Sequence, residues 1–577
     1  MAGVSLPDRA NLTQLRKQAR DLQRAVRAGS PTARELVAGY HPAGALDANA
    51  AASFPLHAAR LVISRQYGFA SWTRLKRHVE LIQQYTRVPP VSAGASVTDE
   101  ASGNGAPGHE ATRAGATGDR TGGGGAAGDR TGGDGAAEDM AGGNGAAGAA
   151  PRGEDGGGLG DEFLRLGCLW YEDDQPERWA QARALLAAHP ELTRDHVHAA
   201  AAAADVGALR EILAADPAAA RREGGPYRAE PLYYLAYARH DPQISQDAVL
   251  TSTRLLLAAG ADPNAGYFWR GLPTPFTVLT GVLGQGELGP DRQPPHPHML
   301  PLARLLLESG ADANDAQALY NRMFEPGQEH LELLLEFGLG TGDGGPWRAR
   351  LGDAQGSPAE LVRGQLEWAV THGLTDRVRL LGRHGVDVTS RAPGRQSPAG
   401  LAPIELALTT GHAELVDVLA GFGAAPAELD PDEAMVARLL AGDQAGAESL
   451  DRDNPLALEE VKVTRPGLIV WAAVLGRTSA VELIAGLGFD VNAKARTDGP
   501  GTTEWETALH HTARVGNLAL ARRLVKLGAD PDARDKRFGT TPLGWARHFG
   551  QPELVAFLEP LTSPDPDGQE AGQTGLV

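Results

Sequence analysis

A single cysteine, Cys168, in 577 residues leaves no internal disulfide framework and no cysteine-rich metal site. That usage fits a reducing compartment, so a cytoplasmic location is expected. Aromatic residues make up only 5% of the chain. Ala and Leu dominate the apolar set, and both favour helix over sheet. No stretch approaches the ~18 uninterrupted apolar residues that a membrane span needs, so no membrane role is expected. The first residues lack the apolar core of a signal peptide, because Arg9, Arg16, Lys17 and Arg20 interrupt it. Motifs of chemistry are missing too: there is no GxxxxGK[ST] phosphate loop, HExxH, CxxC or nucleophile elbow. The expectation is therefore no catalytic residues, no cofactor and no metal, in a chain that is not an enzyme.

The charge present is unevenly placed. The net charge is −18, yet residues 1–88 carry thirteen Lys/Arg against five Asp/Glu, a balance of +8 that leaves −26 for the rest. The acidic bulk argues against general nucleic-acid binding, while the basic head keeps that question open for the N-terminus alone. Leu12, Leu15, Ala19, Leu22 and Val26 recur at helical spacing, and Arg16, Arg20, Arg24 and Arg27 form a basic stripe broadly opposite. Pro55 opens a further helix to Gln66, with Gly68 at its left-handed end, and Ser71 caps another carrying Trp72, Leu75, Val79 and Ile82. Residues 1–88 are thus expected to be a small basic helical module.

Residues 89–160 change character. Positions 101–160 hold 22 glycines, and GGGGAA, GGDGAA and GGNGAA recur every ten residues from Gly122 to Ala147. A calcium-binding β-roll would need a period of nine and a regular apolar position, so a disordered linker is expected. The tail, 561–577, is likewise expected to be disordered.

Helical patterns then recur. RLLLAAGADPNA (Arg254–Ala265) is echoed by RLLLESGADAND, RLLGRHGVDVTS, ELIAGLGFDVNA and RLVKLGADPDAR, each closing a helix at glycine. Partner segments lie upstream: EPLYYLA at Glu230, APIELA at Ala402, TALHHTA at Thr507 and TPLGWA at Thr541. Thr507 to Gly528, Ala402 to Gly423, Gly467 to Gly488 and Gly364 to Gly385 are each 21 residues apart, and Thr507 to Thr541 is 34. One short helix, a turn, a second helix and a glycine cap fill that frame. The pattern resembles the ankyrin repeat, with its TPLH-type helix start and GAD-type turn every ~33 residues. The resemblance implies an all-α solenoid of helix-turn-helix units with hairpin-like fingers, beside the small N-terminal helical domain. About eleven helix pairs can be traced, irregular over 161–350 and more regular over 351–560. The signature His stands only at His510; the matching positions are read as Tyr233, Thr277, Glu405, Val470 and Gly544. Insertions at Asp241–Val249 and Gly284–His298 stretch two early units. Leu6–Leu22 and Ala59–Glu80 resemble a segment that precedes ankyrin arrays in a group of bacterial proteins, a likeness that implies no activity.

In such an array His510 ties Thr507 and the neighbouring turn together, a structural task. His196 with His198, His296 with His298, and Cys168 are likewise read as structural. What the resemblance does imply is a protein-binding scaffold, monomeric, whose variable fingers meet an unidentified protein partner. Tyr267, Phe268, Trp269 and Arg270 follow one GAD-type turn and combine the residue types that dominate interfaces. They are either a partner hot spot or packing against Gly284–His298. Arg496 and Trp505, on the finger Lys494–Glu506, and Arg537 in the penultimate turn are further candidates. The alternative function is a tethered effector, in which the basic stripe of the head holds nucleic acid or an acidic partner while the array recruits a protein.

Overall fold

The computed structural model describes residues 6, 11–87, 158–172, 174–272, 274–286, 288–391, 400–497, 499 and 504–564. The glycine-rich segment and the tail beyond 564 fall outside these residues, as do the expectations placed on them. The described chain is mostly helical, with three short strands that form one sheet.

The head consists of α1 (Leu12–Arg27), α2 (Pro31–Tyr40), α3 (Ala48–Ala52), α4 (Leu56–Gln66) and α5 (Trp72–Tyr85). Leu15, Ala19, Leu22 and Val26 of α1 are buried with Val62 and Ile63 of α4 and Leu75 and Val79 of α5 in a small core of their own. Ser71 accepts a bond from the Arg74 N–H and caps α5. The basic stripe lies in solvent. Three of its members are engaged within the head: Arg20 donates to the Arg16 carbonyl, 3.3 Å, Arg24 pairs with Asp21, and Arg27 donates to the Phe54 carbonyl, 2.9 Å.

From Leu159 to Leu558 short helices stack in pairs. One row runs through the helices Val197–Ala202, Pro231–Tyr237, Val278–Leu283, Ala316–Arg322, Pro358–Thr371 and Pro403–Thr409, each packed on the next. The second helices, among them Val206–Ala215, Gln246–Ala258 and Met299–Glu308, form a parallel outer row. Each pair buries one apolar stripe against its neighbours, so the stack makes a continuous core that no unit could make alone.

The repeated sequence explains the stacking chemically. Gly528 ends the helix Leu518–Lys526 at φ +100°, a backbone region that costs a β-carbon-bearing residue about 1 kcal/mol or more. The polar residues after such glycines form a ladder between units. Asn492 donates to the Gly528 carbonyl, 3.2 Å, and accepts from the Asp530 N–H, 2.8 Å. Asn264 does the same with Gly310 and Asp312 one stack away.

His510 is fully buried at the third position of its helix. Its Nδ1 lies 2.8 Å from Thr507 Oγ1, and its Nε2 lies 3.0 Å from the Thr540 carbonyl of the next unit. Glu405 performs the same double task with other chemistry: it accepts from the Ala402 N–H, 2.8 Å, and from the Glu428 N–H, 3.2 Å. The alignment placing Thr277 in the signature-His position needs correcting. Thr277 caps the helix Val278–Leu283, and Thr280 stands at its third position, bonded to Asp315 of the next unit. A strand precedes this helix, and the frame is displaced by three residues.

The apolar core of the array divides once among the described residues. One apolar cluster runs unbroken from Phe163 to Leu419 and a second from Met435 to Leu558. At the junction the unit Pro431–Ala441 carries two further packed helices, Gln444–Asp453 and Pro455–Thr464. Trp471 bridges the junction, its Nε1 donating to the Thr410 carbonyl at 3.0 Å.

Candidate protein-binding surface

Two fingers carry the candidate aromatic and arginine residues, and the structure treats them oppositely. The first is built on strands β2 (Gly266–Trp269) and β3 (Pro275–Thr277), antiparallel with Tyr267 opposite Phe276. A β-carbon at Gly266 would lie 2.9 Å from the Phe276 carbonyl oxygen, so this close crossing requires glycine. Successive side chains of a strand point to opposite faces. Tyr267 and Trp269 turn to one face, toward Trp170, and Phe268 turns to the other, toward Trp347 and Tyr85.

Tyr267 is buried and stacks on Trp170 at 4.9 Å, while the other side of Trp170 stacks on Tyr227 at 3.8 Å. Trp269 is half-buried and donates its indole N–H to the Trp170 carbonyl, 3.1 Å. Arg270 is exposed, lies 5.0 Å over the Trp269 ring and pairs with Glu172. Phe268 is fully buried on the other face, against Trp347 and Tyr85. Tyr267 and Phe268 are therefore not solvent-facing, which corrects the hot-spot expectation for those two. The packing reading also needs correcting: the rings that cover them come from the Trp170 segment, Trp347 and the head rather than from Gly284–His298.

The second finger joins residues distant in sequence. Ala495 and Glu506 exchange backbone hydrogen bonds of 2.9 and 3.2 Å, bringing Arg496 beside Trp505. The next turn docks on it through the Lys536 N–H and the Trp505 carbonyl, 2.7 Å. The turn itself is held by buried Asp535, which accepts from the N–H groups of Arg537, Phe538 and Thr540 and from the Trp545 indole. Arg537 is exposed and stands 4.8 Å over the Trp505 ring, and Arg496 stands 4.3 Å over the same ring. Two separately chosen candidates, the Arg496–Trp505 finger and the Arg537 turn, thus form one cluster. Lys536, next to Arg537, lies beside the cluster and pairs with Glu504 at 2.8 Å. Residues 498 and 500–503 of this finger are outside the described residues.

The titratable groups beneath these surfaces have structural environments. Burial pushes the His510 and His511 imidazoles down to about 4. Burial also pushes the Cys168 thiol up to about 12, where it holds no thiolate. His198 Nε2 lies 2.8 Å from the Arg222 carbonyl, and His298 Nε2 lies 2.6 Å from the Ile244 carbonyl. Among the described residues no group of three or more His, Cys, Asp or Glu is placed to hold a metal. None of their helices is long and apolar enough to cross a membrane.

Paired helices ended by glycine, with an asparagine ladder between the turns and one buried histidine joining two units, set the frame for comparison with known proteins. Residues 469–567 match the family model for ankyrin repeats, in three copies. The matched span covers the late units and the second finger. A 95-residue stretch of the chain, 16% of it, is 37% identical to part of E3 ubiquitin-protein ligase Ufd4 of Drosophila melanogaster. That stretch corresponds to 3% of the relative's length. The fold is all-α, with ankyrin repeats at its C-terminal end.

Proposed function

We propose that the protein is a non-enzymatic scaffold that binds a protein partner through the late fingers of its ankyrin array. The observation that carries this reading is the cluster Arg496, Trp505 and Arg537. Three side chains of the types richest in interface energy share one surface of the finger, whose backbone is already tied at Ala495, Trp505, Glu506 and Arg537 by hydrogen bonds. A surface ordered before binding loses less entropy on association. The two guanidinium groups favour a partner segment bearing carboxylates, with which arginine forms paired hydrogen bonds. Ankyrin repeats generally mediate protein–protein interaction, which agrees with this assignment. We place the scaffold in the cytoplasm, as a monomer. The tethered-effector alternative gains nothing further from the head, whose stripe holds Arg24 and Arg27 in local bonds.

The test is paired affinity capture with the full chain and with Trp505→Ala. A partner recovered by the first should be depleted with the second, and its measured affinity for the variant should fall at least tenfold. A partner retained equally by both would remove the late finger from the binding surface.

A further inference from the structure

The Phe268 face of the first finger is covered by Trp347 of the array and by the chain's own head. Helix α5 ends at Tyr85, and strand β1 (Thr86–Arg87) runs parallel to β2, with Thr86 opposite Phe268 and Arg87 opposite Trp269. Tyr85 packs edge-on against Phe268 at 6.0 Å and Trp347 at 5.1 Å, and the Arg350 guanidinium stands over its ring. Arg87 is largely buried: its Nε donates to the Arg228 carbonyl at 3.1 Å and its Nη2 meets Glu223 at 2.9 Å. An aromatic ring and an arginine two positions later are thus read by two separate sets of array residues. Strand addition supplies the backbone register between them.

The occupancy is partial. β2 is four residues long and β1 runs beside only two of them, because helix α5 ends immediately before β1. A segment extended throughout would continue the ladder past Tyr267 to Gly266. Covalent attachment raises the local concentration of the head, so a contact this short can hold in cis with low intrinsic affinity. The head's +8 charge against the acidic remainder of the chain favours the same docking. We propose that the outer edge of β2, with Phe268, Trp347, Arg350 and Glu223, is a binding site for an extended peptide segment of the pattern Tyr-x-Arg. Tyr85–Arg87 is its internal occupant, and a partner segment of that pattern takes the site by displacing the head. The site is separate from the Arg496–Trp505–Arg537 surface, so the two assignments stand or fall independently.

The experiment uses the full chain and a blocked, fluorescently labelled peptide Gln-Gln-Tyr-Thr-Arg, the sequence of residues 83–87. The Arg87→Glu variant, with its head released, should bind this peptide at least tenfold more tightly than the unaltered chain. The same peptide ending in Glu should not bind the variant. Glu223→Arg, a change at an exposed side chain, should reverse the preference and select the Glu-ending peptide. Dyes on Lys17→Cys and Glu308→Cys, both exposed and distinguishable from buried Cys168, report head release as lost energy transfer when Arg87 is reversed. Equal peptide affinity for the unaltered chain and Arg87→Glu would overturn the proposal. So would energy transfer unchanged by Arg87→Glu, or a Glu223→Arg variant that keeps the original preference.

Discussion

The fingers at 266–277 and 495–538 both join aromatic residues to arginine, yet one is interior and the other is surface. The difference does not lie in composition. Tyr267, Phe268 and Trp269 alternate across a true strand, and each face of that strand finds a cover: Trp170 and Tyr233 on one side, Tyr85 and Trp347 on the other. In the late finger the single ring Trp505 has guanidinium groups over it instead. Arginine can leave its charged head in water while its stem covers a ring, so such a cluster is stable without being sealed. Aromatic content marks a finger as important; what stands over the rings decides whether it holds the fold or meets a partner.

The sharpest way to break this comparison is to truncate each finger. Phe268→Ala should cost roughly 3–5 kcal/mol in urea unfolding, the usual range for a buried ring. Should it cost under ~1 kcal/mol, the first finger is not interior in solution. Leu524→Ala, at a fully buried position of the late array, should cost about 2–5 kcal/mol. Because the apolar core breaks between Leu419 and Met435, the loss should appear in one unfolding phase and leave the Phe163–Leu419 cluster in place. A uniform loss detected by probes in both clusters would show that the junction transmits stability fully.

Acid should separate the regions more gently. The unfolded chain protonates His510 and His511 near pH 6.5, whereas the folded late array does not until about 4. Between those limits the unfolded state binds more protons, so stability is present above pH 6.5 and lost as pH falls toward 4. In the early array His198 and His240 act in the same direction. Buried Asp174 and Asp315, raised to about 6, act oppositely, losing stability as pH rises from 3.8 to 6. The late unfolding phase should therefore weaken as pH falls from 6.5 to 5, measured by thermal melts across that range. A late phase that gains stability over that interval would contradict the buried, neutral state of His510 and His511.

How far the sequence could be read follows from where its signals are local. The repeat frame was legible because glycine at a left-handed helix end and asparagine in the following turn each answer a local backbone demand, as Gly528 and Asn492 do. The task of His510 was legible for the same reason. The displaced frame at Thr277 was not, since a strand inserted before the helix leaves no gap in composition. Nor was the cover on Phe268, because Tyr85 lies 183 positions earlier across the glycine-rich segment and no pattern in either stretch announces the other. The late cluster lay between these cases. Arg496, Trp505 and Arg537 could each be chosen as exposed candidates, but their convergence depends on the Lys536–Trp505 backbone bond.

The central claim, that the Trp269 face of the first finger is scaffold and the late finger is a binding surface, is tested most directly by one paired measurement. Unfolding midpoints of Trp269→Ala and Trp505→Ala should be compared in the same full chain. Trp269 donates to the Trp170 carbonyl and leans on Phe276, so its loss should lower the early transition by ~2 kcal/mol or more. Trp505→Ala should change the late transition by less than ~1 kcal/mol, because guanidinium groups rather than buried rings stand over its indole. A stable Trp269→Ala beside a strongly destabilised Trp505→Ala would invert the two roles and contradict the account.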